Sequence, residues 1–170
     1  GRVGVTVTNL VAGLERSDEA YPAPFQEFLV AGGATTSSSV AGRQSLDVFL
    51  VNTETAESVS AQRVPVTGGM SSARAFHTAT RLSDGRVLIV GGGRSTSGEG
   101  SAGTGVPSPE DIPPPEIYDP ATGTFSLTTA NTVTPHAFHT ATLLQDGRVL
   151  IAGGITTPEP GSASPAPDGE

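Results

Sequence analysis

The chain has 170 residues, with 17 acidic residues against 9 arginines, no lysine and a formal net charge of −8. Because nucleic acids and anionic membranes are bound through clustered positive charge, this balance argues against either as a partner. The chain has no cysteine, which excludes disulfides, thiolate nucleophiles and cysteine-bound metals. It also has no recognisable signal segment and no run near 18 apolar residues, so we expect no membrane insertion.

The first 63 residues have the pattern of four consecutive strands. Valines alternate with small or polar residues over 1–10, which indicates a half-buried strand. The sequence FLVAGG at 28–33 follows an acidic, proline-containing connection and is typical of a strand closed by two glycines. Residues 46–52 (LDVFLVN) predict a third strand, and 53–62 can supply the fourth.

The chain then uses one hairpin twice. FHTATRLSDGRVLIVGG at 76–92 and FHTATLLQDGRVLIAGG at 138–154 are identical at all but three positions and lie 62 residues apart. In each copy a strand rich in β-branched residues leads into Asp-Gly, whose positive φ values suit a tight turn. An apolar strand follows the turn and runs antiparallel to the first. The return strand Val87–Val90 is apolar at consecutive positions, so both of its faces need cover, as in a strand stacked between sheets. Such a repeat indicates a protein built from copies of one supersecondary unit.

Between the two hairpins lie a long linker and two further strands. Residues 93–115 are rich in Gly, Ser and Pro, which predicts either a disordered loop or a loop that projects toward a ligand. Residues 116–118 and 124–128 predict the third and fourth strands of this unit, with a turn between them.

These motifs together resemble a Kelch-type repeat. The elements that carry the resemblance are HTAT, DGRVLI and the double glycine, followed by EIYDPATGTF at 116–125. The pattern is most similar to the bacterial, galactose-oxidase-like branch of that family. The resemblance implies that each repeat is one four-stranded blade of a β-propeller, with Phe125 at the position where the family usually has Trp.

We therefore expect an all-β fold, namely a partial, open β-propeller of Kelch-like four-stranded antiparallel blades. The expected units are a degenerate blade at 1–63, a blade with a long loop (93–115) at 64–130, the first half of a further blade at 131–154, and a Pro-rich disordered tail or linker at 155–170. Because closed propellers contain roughly 4–8 blades and one repeat takes 62 residues, the chain is expected to be a fragment or to need partner blades.

Residues that recur in both copies are expected to serve the structure of each blade. Two repeated histidines could bind a metal only if they converged, but equivalent strands of a radial array are rotated about its axis, which favours hydrogen bonding between strands or blades. The paired aspartates could be taken for acid–base carboxylates, yet Asp before Gly is typical of a turn. The positions assigned a structural role are His77, Asp84, Gly85, Gly91, Gly92, Tyr118, His139, Asp146, Gly147, Gly153 and Gly154.

Three other candidate functional features are explained without a functional site. Arg86 and Arg148 follow the turns and are expected to form salt bridges or brace the loops. His136 is not repeated and is expected to be exposed. Residues 98–103 match G-x-G-x-x-G, but no strand and helix flank them, so a dinucleotide site is rejected.

The sequence therefore assigns no catalytic residue, cofactor or metal to this chain. The galactose-oxidase resemblance implies a copper site with a cysteine cross-linked to a tyrosine, but the chain has no cysteine, and its tyrosines are Tyr21 and Tyr118. The favoured function is a non-catalytic scaffold that binds a protein or a glycan, with further blades as the other expected partner. The alternative is part of a galactose-oxidase-like or other carbohydrate-active enzyme whose catalytic residues lie elsewhere. An extracellular or cell-surface location in a bacterium is expected from the resemblance.

Overall fold

The computed structural model describes residues 2–10, 25–35, 46–52, 61–64, 68–93, 112–128, 137–159 and 162–165. Within these ranges the regular structure is entirely β, and none of them contains a helix able to span a membrane. The strands are β1 (Arg2–Asn9), β2 (Phe25–Thr35), β3 (Leu46–Asn52), β4 (Ala61–Val64), β5 (Thr78–Arg81), β6 (Val87–Val90), β7 (Glu116–Asp119), β8 (Thr124–Leu127), β9 (Thr140–Leu143), β10 (Val149–Ala152), β11 (Ile155–Glu159) and β12 (Ser162–Pro165).

The described strands form four antiparallel sheets, two of four strands and two of two strands, one of which is the β11–β12 pair. Strands β1 to β4 make the first sheet and β5 to β8 the second, each in chain order, while β9 pairs only with β10. The first strands of successive sheets, β1, β5 and β9, lie side by side. We call the two four-stranded sheets and the β9–β10 pair the first, second and third blades, and the contact between two neighbouring blades a seam.

The strand registers show that the β1–β2 hairpin of the first blade is equivalent to the repeated hairpin, although its sequence has diverged. Val5 pairs with Gly32, whereas extending the pairing of Thr78 with Val90 places His77 opposite Gly91. Val5 therefore stands at the position of His77. By the same register the preceding residues, Gly4 and Phe76, are equivalent, and each has a φ near +60°.

The turn of the repeated hairpin differs from the expected one. A tight two-residue Asp-Gly turn would place both residues at positive φ, but of the two only Gly85 does so, at 89°. The amide of Gly85 donates to the carbonyl of Leu82, and Leu82 and Arg86 close the loop. This is a three-residue loop ending in a left-handed glycine, and Gly147 repeats it at 87°.

The hydrophobic core lies in the first seam. Leu29 and Ala31 of the first blade pack with Val87 and Ile89 of the second, and the cluster also contains Leu10, Met70 and Tyr118. Strand β6 is buried at three of its four positions, but β10 at only one. An apolar strand is therefore covered where blades lie on both sides and is partly exposed where one neighbour is missing.

Three expected elements have different bounds. Strand β2 (Phe25–Thr35) continues past Gly32–Gly33, where the sequence predicts its end. The fourth strand of the first blade is β4 at Ala61–Val64 and not 53–62, of which residues 53–60 lie outside the described ranges. Strands β11 and β12 pair with each other where an unstructured tail was expected, starting from the β-branched residues Ile155 to Thr157. Residues 94–111 of the long loop also lie outside the described ranges.

Candidate functional site: the seams between blades

The main chain links each blade to the one before it. The amide of Phe76 donates to the carbonyl of Gly4 at 3.0 Å, and the amide of Phe138 donates to the carbonyl of Phe76 at 3.3 Å. The rings of Phe76 and Phe138 also stack, with centroids 4.6 Å apart. The same backbone hydrogen bond thus recurs at both seams.

Both phenylalanines hold a conformation that bulky residues avoid. The φ angles of Phe76 and Phe138 are 61° and 62°, in the left-handed region, where a side chain with a Cβ is strained. In that conformation each amide donates to a carbonyl of the preceding blade. The strain therefore accompanies the joining of blades and recurs wherever the join recurs.

Histidine adds a side-chain link at each seam. The Nε2 atom of His77 lies 2.9 Å from the hydroxyl oxygen of Thr6, and Nε2 of His139 lies 2.8 Å from that of Thr78. Both histidines are buried. Each imidazole is therefore hydrogen-bonded to a threonine of the neighbouring blade. His136 lies outside the described residues.

The surroundings of His77 disfavour its charged form. Burial, followed by the nearby Arg74 guanidinium and His139, lowers the pKa of His77 to about 3. Its Nδ1 atom is buried and has no hydrogen-bond partner in the described part of the chain. The protonated imidazole would therefore carry a buried Nδ1–H without an acceptor, at a cost in stability.

We expect acid to weaken this fold through His77. The folded pKa of His77, about 3, lies below its ordinary value of 6.5. Between these values the unfolded chain binds more protons, so the free energy of unfolding falls as the pH drops below 6.5, by up to about 1.4 kcal/mol per pH unit. Urea unfolding of the wild type and of His77→Gln between pH 7 and pH 4 measures the effect. The variant should show a shallower pH dependence, and equal slopes would contradict the assignment.

A buried ion pair braces the second blade at the first seam. Arg74 and Glu116 are 0% and 1% exposed, and their guanidinium and carboxylate lie 2.5 Å apart. The same guanidinium donates to the carbonyls of Gly91 and Pro114, and the second carboxylate oxygen of Glu116 accepts from the Ser71 amide. The charges are thus both paired and hydrogen-bonded, as burial requires.

Sequence reasoning missed this pair. The two residues are separated by 42 positions, and the long loop lies between them. The available signal was that each charge stands in an otherwise small or apolar setting, Ala73-Arg74-Ala75 and Pro115-Glu116-Ile117. A lone charge in such a setting, with one of opposite sign elsewhere, points to a buried partner.

The repeated aspartates lie at the turns. Asp84 accepts from the backbone and side chain of Arg86 and pairs with it at 2.7 Å, and Asp146 pairs with Arg148 in the same way. These hydrogen bonds hold the pKa of both aspartates below the ordinary value. All four side chains are exposed, so the pairs brace their own loops in solvent and add little stability.

The remaining repeat positions lie at strand ends and in the core. The double glycines Gly91–Gly92 and Gly153–Gly154 have positive φ and end β6 and β10. At Gly92 a Cβ would lie 2.5 Å from the carbonyl oxygen of Ala75, so only glycine fits. Tyr118 is buried, and its ring lies 5.1 Å from that of Phe125.

These contacts bear on whether the chain could hold a metal. Within the described ranges no three His, Asp or Glu residues come together as a metal site. The imidazole Nε2 atoms of His77 and His139 already bond threonines, and Tyr118 is packed in the core. These residues do not fit a copper centre.

Known proteins are similar to this chain in sequence and in structure. No model of a protein family matches the sequence. The chain is 35% identical over 97 residues to galactose oxidase of Gibberella zeae, a match that covers 56% of this chain and only 13% of the relative. Its structure is similar to one described as a novel fungal alcohol oxidase of the AA5 family in complex with copper, with a TM-score of 0.62, 21% identity, and coverage of 91% of this chain and 27% of that one. The structure of YjhT gives a TM-score of 0.47 at 16% identity over 74% of this chain and 34% of that one.

The fold and its seams define an open β-propeller segment made of four-stranded antiparallel blades. The likeness in sequence to galactose oxidase supports the galactose-oxidase-like propeller that the repeat motifs predict. The relative matched in sequence is fungal, so the expected bacterial branch gains no support.

Proposed function

We propose that this chain supplies non-catalytic blades to a galactose-oxidase-like protein. The observation that carries the proposal is the use of the repeated polar residues: His77 and His139 are hydrogen-bonded across seams, and Asp84 and Asp146 are paired within turns. The side chains that would be the first candidates for catalysis are thus occupied in holding the blades. Their work is to keep the propeller rigid.

The likeness to galactose oxidase supports the second of the two functions considered from the sequence. Because the chain spans 13% of the length of that relative, the activity of the whole protein is itself part of the proposal. We propose that the whole protein oxidises an alcohol group of galactose or a galactose-containing glycan. No catalytic step is assigned to the described residues, since they do not fit the metal centre.

The test is a comparison of stability and activity in the natural polypeptide that carries this segment. Replacing His139 by Gln should lower the melting temperature, while kcat and KM for galactose oxidation by the folded, copper-loaded protein stay unchanged. A folded His139→Gln protein without activity would show that the residue does more than join blades. If the copper-loaded wild type fails to oxidise galactose, the oxidase assignment falls. Glycan-array binding would then favour the binding scaffold.

An extracellular location is proposed on the same likeness. Cell fractionation with an antibody against residues of the exposed turns would test it. Recovery of the protein in the culture medium or on the cell surface supports the proposal, and recovery only inside cells opposes it.

A further inference from the structure

One side of the third blade has no blade beyond it in the described structure, and we call it the open face. It carries the Phe138 ring, the Thr140 hydroxyl, Leu150 and the double glycine Gly153–Gly154. The strand registers define the same face on the earlier blades. There it is the face that receives the next blade.

Leucine burial follows the amount of cover that each blade receives. Leu29, Leu88 and Leu150 are equivalent by register. Leu29 lies beneath a complete blade and is 0% exposed, Leu88 lies beneath a two-stranded blade and is half-buried, and Leu150 is 38% exposed. Phe138 is likewise 44% exposed, whereas the equivalent Phe76 is half-buried beneath its stacking partner.

The glycines of the open face show the shape that an occupant must have. At Gly32, which is equivalent to Gly153, a Cβ would lie 2.5 Å from the Arg74 carbonyl oxygen and 2.7 Å from the His77 ring. A Cβ added at Gly153 would have nothing within 4 Å. The space that a main-chain carbonyl and an imidazole fill at the first seam is therefore open at the third blade.

Hydrogen-bonding groups are also in place on this face. At the first seam the Gly33 amide donates to the Arg74 carbonyl, and Gly154 has the equivalent amide. Among the described residues, neither this amide nor the Phe138 carbonyl has a hydrogen-bond partner. The Thr140 hydroxyl donates to the Ala152 carbonyl at 3.3 Å, so its oxygen can still accept a hydrogen bond.

We propose that the open face binds a further β-hairpin that carries the sequence aromatic-His-Thr. Its aromatic residue donates its amide to the Phe138 carbonyl and stacks on the Phe138 ring, and its imidazole Nε2 forms a hydrogen bond with the Thr140 hydroxyl. This continues the arrangement found at the two existing seams. It rests on the blade contacts alone and does not depend on the oxidase assignment.

A second copy of this chain does not have the required chemistry. Head-to-tail stacking would bring the front of its first blade onto the open face. There Gly4 and Val5 stand at the positions of the aromatic residue and the histidine. Such a contact would bring neither an aromatic ring nor an imidazole, so a hairpin with both is the better match.

The experiment adds the hairpin to the full chain. A second copy of residues 73–128 is appended through a flexible linker, which raises its effective concentration to the millimolar range. The matched control has His77→Ala in the appended copy alone. Hydrogen exchange of the Gly154 amide, followed by NMR, should slow at least about tenfold with the intact copy and clearly less with the control.

A second pair of variants tests the shape of the face. Gly153→Ala in the original blade should abolish the slowing, because the new methyl group occupies the space of the incoming carbonyl. Gly147 is another glycine with positive φ, and nothing lies within 4 Å of a Cβ added there. Gly147→Ala should therefore leave the slowing of exchange unchanged. Unchanged exchange at Gly154, or an appended copy that stays unfolded, would overturn the proposal. Equal slowing by the intact appended copy and by the His77→Ala appended copy would overturn it as well. A dimer of the unmodified chain that Gly153→Ala dissociates would make a second copy the occupant and overturn it too.

Discussion

Replacing Arg74 by methionine should lower the free energy of unfolding by about 3–5 kcal/mol. The substitution leaves the Glu116 carboxylate buried without its counter-charge, and removing one partner of a buried pair costs on that order. The Glu116 side chain is 1% exposed, so water cannot replace the guanidinium as its partner. Urea unfolding followed by circular dichroism measures the loss.

Two further variants separate the charge effect from the loss of packing. Arg74→Met combined with Glu116→Leu removes both charges and should regain part of the stability, although the Gly91 and Pro114 carbonyls lose their donor. Arg86→Met, at an exposed pair, should leave the unfolding midpoint nearly unchanged. Equal losses for Arg74→Met and Arg86→Met would contradict a buried pair.

The second large effect is expected at Gly92. A Cβ there would lie 2.5 Å from the Ala75 carbonyl oxygen and 2.8 Å from the His77 nitrogen, both backbone atoms. The φ of 73° adds strain of its own. Gly92→Ala should therefore cost about 2–5 kcal/mol, as the sum of the left-handed penalty and the overlap.

Gly147→Ala is the matched control for this substitution. It has a similar φ of 87° but nothing within 4 Å, so it should cost only the backbone term of about 1–2 kcal/mol. Thermal unfolding of both variants gives the comparison. A cost at Gly92 no greater than at Gly147 would show that Gly92 is not packed against Ala75 and His77 as described.

The repeated hairpin is what made the blade architecture predictable. Two nearly identical ribbons with an apolar return strand require neighbours on both faces, and the burial of Val87, Ile89 and Val90 confirms this for β6. The degenerate copy was also recognisable, because its two glycines at Gly32–Gly33 keep their backbone role. Local patterns carried this information, so local reasoning could recover it.

Contacts that depend on the docking of blades could not be derived in the same way. The sequence predicts that His77 and His139 bond between strands or blades, but not that each partner is the threonine of the preceding blade. The left-handed φ of Phe76 and Phe138 violates the preference of their residue type, because the seam imposes it. The Arg74–Glu116 pair spans the long loop and has no local pattern.

The blades are joined by one contact that is repeated at each seam. Its most direct test is native-state hydrogen exchange at the amides of Phe76 and Phe138, which lie outside the strands and donate only across seams. We expect both amides to be protected and to lose their protection together with the neighbouring strands on unfolding. Exchange of either amide at the rate of an unstructured peptide, in a chain whose β6 remains protected, would contradict it.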